Sequence, residues 1–330
     1  MNKRTTRSHR RLALLAAVLT TLAAMSNVHA QAWPERPVRV LHGFAAGGNA
    51  DAIARIVGTE LAKQLGQQFV IEPKPGAGGT LAADTVAKAK PDGYTLLVAT
   101  GGHAIAAAMY DKLPYDTLKA FQPVSALTSF PFLIVVNPSS KFTTLQELLS
   151  AGRSRGTSLN FGSAGIGTGQ HMTGGLLSFR AGVPTTHIPY RGDAGSVTAL
   201  LGGEIDFVVA PPTAVVQHVR AGKLLAVAIS GSSRWSGLPN VPTVAEQGVP
   251  NFEVRSWTAL LAPAGTPKAV VDRLNAAVRA VLADDATRQK LEEATGGEVR
   301  ASTPEEVAAT VDADVRRWTQ LVRDARIQRE

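Results

Sequence analysis

The sequence predicts an α/β protein built on two sheets. Apolar strand-like segments alternate with segments of helical period, and glycine-rich turns join strand ends to helix starts. This alternation runs in two successive series, the second beginning after LIVVNP. With 330 residues, 45% apolar and only 18% charged, the chain can bury one large or two medium cores, which excludes disordered and collagen-like classes.

The first series opens with PVRVLHGF as a strand. Ile53, Ile56, Val57, Leu61 and Leu65 then fall at helical spacing, and Gly66 closes that helix. FVIEP reads as a buried strand, PGAGG as a turn, Leu81 to Ala89 as a helix, PDG as a turn and YTLLVAT as the next strand. The second series places a helix near TLQELLSAG, a strand at SLNF, the loop GSAGIGTG, a helix from His171 to Ala181 and a strand at THIPY. Further units are Val197 to Leu201, EIDFVVA, a helix from Pro212 to Ala221, and LLAVAIS. ALLAPAG reads as another strand, followed by two terminal helices that start at Thr266-Pro267 and at Thr303-Pro304, the latter with Glu305 and Glu306 in its first turn. Val307, Val311, Val315, Trp318 and Val322 form one apolar stripe, expected to dock on the first domain.

Residues 1–30 carry the pattern of a cleavable secretory signal: basic MNKRTTRSHRR, apolar LALLAAVLTTLAAM, then SNVHA with small residues before the expected cut at Ala30. The apolar run is too short to span a bilayer, so the expected mature chain is a soluble periplasmic protein starting at Gln31. Loss of Lys3, Arg4, Arg7, Arg10 and Arg11, with no acid, takes the formal charge from +8 to +3. The basic balance belongs largely to the leader, which removes the main support for a nucleic-acid or membrane partner. The sequence contains no cysteine, which excludes disulfides, thiol catalysis, a lipoprotein anchor and cysteine-ligated metal.

Three glycine loops stand where strands give way to helices: FAAGGNAD, ATGGHA at 99–104 and GSAGIGTG at 162–169. Glycine lets backbone N–H groups approach a ligand closely, and each following helix presents the positive end of its dipole, which together make an anion site from neutral donors. Gly165-x-Gly167-x-Gly169 lacks the spacing of the dinucleotide fingerprint and no GK[ST] follows any loop, so no nucleotide cofactor is expected. Two such loops on separate sheets, facing each other, would close on a carboxylate as two jaws. Asp51 would repel an anion if it faced the mouth; as a helix cap or a loop tether it would not.

The ordered set GFAAGGNADAIAR, EPKPGAGGTLAADTVAKAKPDGYTLLVAT, NFGSAGIGTGQHMTGGLL, HIPYRGDAG, LLGGEIDFVVA, HVRAGKLLAVAIS, LPNVPTVAEQG and SWTALLAPAGTP resembles the periplasmic substrate-binding receptors of tripartite tricarboxylate transporters, the Bug family. The resemblance covers nearly all of the chain beyond the leader. It implies a two-lobed Venus-flytrap receptor of type II, each lobe a mainly parallel sheet flanked by helices. Such a receptor closes on a small organic carboxylate and delivers it to a membrane permease. The implied lobes are 31–137 with 256–330, and 138–255, swinging about Asn137-Pro138 and Arg255-Ser256.

Carried onto this sequence, the implied first-lobe ligand residues are Phe44, Ala45, Gly47, Gly48, Asn49 and Asp51, with Thr100, Gly101 and His103 flooring the cleft. Those of the second lobe are Ser163, Gly165, Gly167, Thr168, Gly169, His171, Tyr190 and Arg191, with Ala210, Pro211 and Pro212 along the side. Family members commonly carry prolines where Ala45 and Ala46 stand here, which predicts a less rigid loop. Asn49 and Asp193 occupy positions that vary among members; Asp193 either faces the cleft and favours a ligand with an amino group, or caps the helix that follows it.

Among other classes, an enzyme finds little support. His42, His103, His171, His187 and His218 are scattered without HExxH or metal spacing, no GxSxG elbow is present, and Ser163 with His171 lacks an orienting acid. A monomeric receptor that binds neither metal nor cofactor is expected. A sensing receptor that docks on a membrane kinase would need the same clamp.

Overall fold

The computed structural model describes residues 33–140, 142–154 and 158–329. The expected leader, residues 1–30, lies outside them. Eleven strands are described: β1 (Val38–His42), β2 (Phe69–Pro73), β3 (Thr95–Thr100), β4 (Phe121–Pro131), β5 (Leu133–Val136), β6 (Leu159–Ser163), β7 (Thr185–Pro189), β8 (Phe207–Ala210), β9 (Leu225–Ile229), β10 (Arg255–Pro263) and β11 (Glu298–Val299). They form a six-stranded sheet in the order β11-β4-β10-β3-β1-β2 and a five-stranded sheet in the order β7-β6-β8-β5-β9.

Both sheets are mixed rather than mainly parallel. β1 pairs in parallel with β2 and β3, but β10 runs antiparallel to both β3 and β4. In the second sheet β6 is parallel to β7 and β8, while β5 is antiparallel to both β8 and β9. The reversed strands are those that enter each sheet from the other lobe, so the direction of crossing imposes their polarity on an otherwise βαβ-wound layer. The first crossing falls at Phe132, the single residue between β4 and β5, and not at Asn137-Pro138. LIVV satisfies its backbone by pairing with β8 and β9, which assigns it to the second sheet.

Three apolar clusters hold these layers. One lies under the first sheet against the helices Asn49–Leu65 and Lys268–Ala283, with Ile53, Val57, Leu61, Leu274 and Val278 buried. A second packs the helices Asp193–Leu201 and Pro212–Arg220 on the other sheet through Val197, Leu200 and Val215. The third runs continuously through both lobes, from Leu97 and Met109 across Phe130 and Phe132 to Phe161 and Leu177. The terminal helix Pro304–Asp324 starts in a capping box of Thr303 and Glu306, and it buries Val307, Val311, Trp318 and Val322. It packs on the helix Gly102–Met109 and on β4, the predicted docking on the first lobe.

Two further elements differ from expectation. FVIEP is an edge strand with only Phe69 buried, because nothing pairs beyond it. The helix predicted from Thr266-Pro267 breaks at Asp284, whose carboxylate accepts from Thr287 N–H and caps a separate helix, Asp285–Thr295.

Candidate functional site

In both sheets the strand ends that lead into the glycine loops face the opposite lobe, the usual ligand edge of an open α/β sheet. The lobes are in contact there. A Cβ on Gly78 would stand 2.8 Å from Ile166 O, one on Gly102 3.5 Å from Gly167 O, and one on Gly192 3.7 Å from Ala45 Cβ. Between them lies a narrow cavity of 40 Å³. Phe44, Asn49, Ala50 and Thr100 line it from the first lobe. Phe132, Gly169, Gln170, Asp193 and Pro211 line it from the second, and Phe130 and Ser256 from the strands at the crossings.

Helix starts converge on this space. Asn49–Leu65 begins at Gly48, Asp193–Leu201 at Gly192 and Pro212–Arg220 at Pro211, each without a side-chain cap. Their first-turn N–H groups are therefore not consumed by a neighbouring side chain. Asn49 is 7% exposed, and neither Nδ2 nor Oδ1 has a hydrogen-bond partner. A buried amide left in this state costs free energy, which a ligand with both donor and acceptor capacity would recover.

Several predicted residues build the loops and do not reach the cavity. Asp51 is the clearest: its Oδ2 accepts from Gly47 N–H at 2.9 Å and from Arg55 Nε at 2.8 Å, and its Oδ1 lies 3.0 Å from His42 Nε2. Burial pushes the Asp51 carboxyl up, but the bonds from Arg55, Gly47 and His42 outweigh it and hold the group below its ordinary value. Burial also lowers the pKa of His42, so the contact is a neutral imidazole N–H donating to a carboxylate. This tether fixes the FAAGGNAD loop where prolines are absent, and it turns the Asp51 charge away from the mouth. His103 also stays out of the cavity. Its ring is buried against Tyr115 and Phe121, its Nε2 lies 3.2 Å from Thr117 O, and burial lowers its pKa to about 4.

The second loop is tied in the same way. Thr168 Oγ1 donates to Gly165 O at 2.7 Å and accepts from His171 N–H, capping the helix Gly169–Ala181. Ser163 Oγ accepts from Gly165 N–H and lies 2.6 Å from His187 Nε2. His171 stacks on His187 at 3.9 Å between ring centroids and takes Gly167 N–H on Nδ1. Burial lowers the pKa of His171 to about 4, and burial together with its stacked neighbour lowers that of His187 to about 3, so both rings are neutral props. Gly165 and Gly167 have φ of +132° and +73°, conformations that a side chain would strain. Ala210 is buried in the second-lobe core, Arg191 is exposed, and Tyr190 packs beside Gly195; none of the three lines the cavity. Gly101 sits behind it, with Ser256 Oγ 3.1 Å from where its Cβ would be.

Asp193 does reach it. The carboxylate makes no cap with the helix it begins; its Oδ1 accepts from Gln170 Nε2 at 2.9 Å. Burial raises its pKa to about 6, against the lowering effect of the Gln170 bond. Ala50, Phe130, Phe132, Gln170 and Ser256 were not predicted. Ala50 and Gln170 follow predicted residues directly and carry no chemical signal; Phe130 and Phe132 stand at the first crossing, which the sequence reading places at Asn137-Pro138, and Ser256 is read there as part of the second crossing but not as a lining residue.

The chain matches the model of the tripartite tricarboxylate transporter family receptor over residues 53–327. It belongs to that family. Protein BugT of Bordetella pertussis is 32% identical over 317 residues, 96% of this chain and 97% of BugT. Rpa4515 of R. palustris, solved with adipate, superposes with a TM-score of 0.86 at 33% identity, over 90% of this chain and 100% of that one. MatC from Rhodopseudomonas palustris, solved with malate, gives a TM-score of 0.83 at 38% identity, over 88% and 100%. The fold is thus that of two-lobed periplasmic binding proteins, with the sheets and crossings described above.

A wider groove of 490 Å³ lies elsewhere, between Arg220, Trp235 and Glu292. Two of its arginines are already paired, Arg234 with Glu246 and Arg255 with Glu298, and it contains no unpartnered buried polar side-chain atom among the described residues. The interlobe cavity is the better candidate.

Proposed function

We propose that this receptor binds a small organic carboxylate between its lobes in the periplasm and delivers it to a tripartite tricarboxylate-type membrane permease. The observation that carries this reading is the Asn49 amide, buried and unpartnered in a cavity on which uncapped helix starts converge from both lobes. First-turn N–H groups at the cavity, with Asn49 Nδ2 and the Thr100 and Ser256 hydroxyls, would supply neutral donors for a carboxylate; charge-assisted bonds of about 1.5–3 kcal/mol each reach the gross energy of micromolar affinity with four or five of them. The adipate and malate in the two related structures are of this chemical class. Closure about Phe132 and the start of β10 would present the loaded lobes to the permease.

Calorimetric titration of unfolded and refolded protein against succinate, malate, adipate, aspartate and glutamate tests the reading. One-to-one binding that is lost in Asn49→Asp, with an unchanged melting temperature, is the expected result. Equal binding by Asn49→Asp and the parent protein would remove Asn49 from the site.

A further inference from the structure

Asp193 is the sole charged residue among the described lining of the cavity; no lysine or arginine lines it. Among the described residues no ion pair involves the Asp193 carboxylate, and its side-chain hydrogen bond is the one from the Gln170 amide. Arg191, two residues earlier, is exposed and does not approach the carboxylate as an ion-pair partner. The side chains lining the cavity therefore bring one carboxylate and no cation, so the end of a ligand that meets Asp193 finds no side-chain positive charge to offset it.

Gln170 adds a second feature. Its Nε2 is committed to Asp193, while no donor among the described residues reaches its Oε1, so an acceptor pair stands on the second lobe. Across the cavity, the first lobe offers the free Asn49 amide at an uncapped helix start. The Asn49 helix start thus suits a carboxylate, and the acceptor pair of Asp193 Oδ and Gln170 Oε1 suits a group with several N–H donors and a positive charge.

We infer that the ligand is a zwitterion, a small amino acid whose carboxylate lies at the Asn49 helix start and whose ammonium group lies against Asp193 and Gln170. This rests on the carboxylate-receptor reading and narrows it. Each end of such a ligand is held by a different lobe, so the ammonium would act as the link that draws the second lobe onto the first. A dicarboxylate of equal length would instead set a second negative charge beside Asp193 with no cation to offset it.

Matched pairs test this: L-alanine with propionate, L-aspartate with succinate and L-glutamate with glutarate, titrated calorimetrically into refolded protein and into Asp193→Asn. In the parent protein, at least one amino acid binds tenfold or more tighter than its partner lacking the amine. Asp193→Asn, which keeps the shape and an acceptor for Gln170, weakens that amino acid at least tenfold and leaves its partner unchanged or tighter. Binding confined to carboxylates without an amine, or an affinity ratio unmoved by Asp193→Asn, overturns the inference while the receptor reading stands. Failure of every carboxylate to bind, from protein with a cooperative melt, overturns both.

Discussion

Gly78 gives the sharpest test of closure. It sits in the short turn Ala77–Gly79 at φ +62°, and a Cβ there would meet Ile166 O of the opposite lobe at 2.8 Å. Gly78→Ala adds two costs that fall on different equilibria. A side chain in the left-handed region costs roughly 1–2 kcal/mol, and this acts on folding whether the lobes are together or apart. The overlap with the Ile166 carbonyl exists only with the lobes together, and backbone cannot yield as a flexible side chain would. Overpacking of this kind costs about 1–3 kcal/mol, which is a loss of roughly 5- to 150-fold in ligand affinity. Gly66→Ala is the control: Gly66 ends the helix Asn49–Leu65 at φ +72° with nothing within 4 Å, so it carries the strain without the overlap. Titration calorimetry on both variants, with scattering to measure the dimensions of ligand-saturated protein, separates the two costs. Unchanged affinity in Gly78→Ala, or equal weakening in Gly66→Ala, would refute closure against this loop.

Three further outcomes follow from the packing. Asp51→Ala removes the acceptor shared by Gly47 N–H, Arg55 and His42 and should lower stability by about 3 kcal/mol in urea unfolding; a loss under about 1 kcal/mol would show that the tether is dispensable. Phe132→Ala empties a fully buried ring at the crossing and should cost about 3–5 kcal/mol; a loss within 1 kcal/mol would mean that the crossing relaxes around the gap. For Asp193, with its folded pKa raised to about 6 from 3.8, the folded chain binds more protons than the unfolded one between those values. Stability owed to this group therefore falls as pH rises through that window, and Asp193→Asn should gain on the parent protein from pH 4 to 7. His103, His171 and His187, lowered from 6.5 to about 4, about 4 and about 3, act in the opposite sense: the stability present above pH 6.5 is lost as pH falls. Urea midpoints across this range, flat in the difference between parent and Asp193→Asn, would contradict the burial of Asp193.

The sequence was most legible where a local pattern decides structure alone. The helical stripe from Val307 to Val322, the Thr303 start and the strand-loop-helix units around FAAGGNAD and GSAGIGTG all carry periodicity, caps and glycines that act within one turn. What depends on pairing between distant segments was not legible. LIVV reads as a strand in isolation, but only its ladders with β8 and β9 decide which sheet owns it. In the site, glycine loops announced themselves, whereas the direction of a side chain did not. Asp51 and Asp193 each stand at a helix start after a glycine loop, yet one is consumed by His42 and Arg55 and the other faces the cavity with Gln170. His42 on β1 and Gln170 across the loop decide that difference, and neither spacing reveals it.

The most direct measurement is a crystal structure of the refolded protein soaked with the carboxylate that titrates most tightly. One ligand is expected in the interlobe cavity, its carboxylate within hydrogen-bond distance of the Asn49 amide and the first-turn N–H groups of the converging helices. A ligand seated instead in the groove between Arg220, Trp235 and Glu292, with the Asn49 amide still unpartnered, would contradict it.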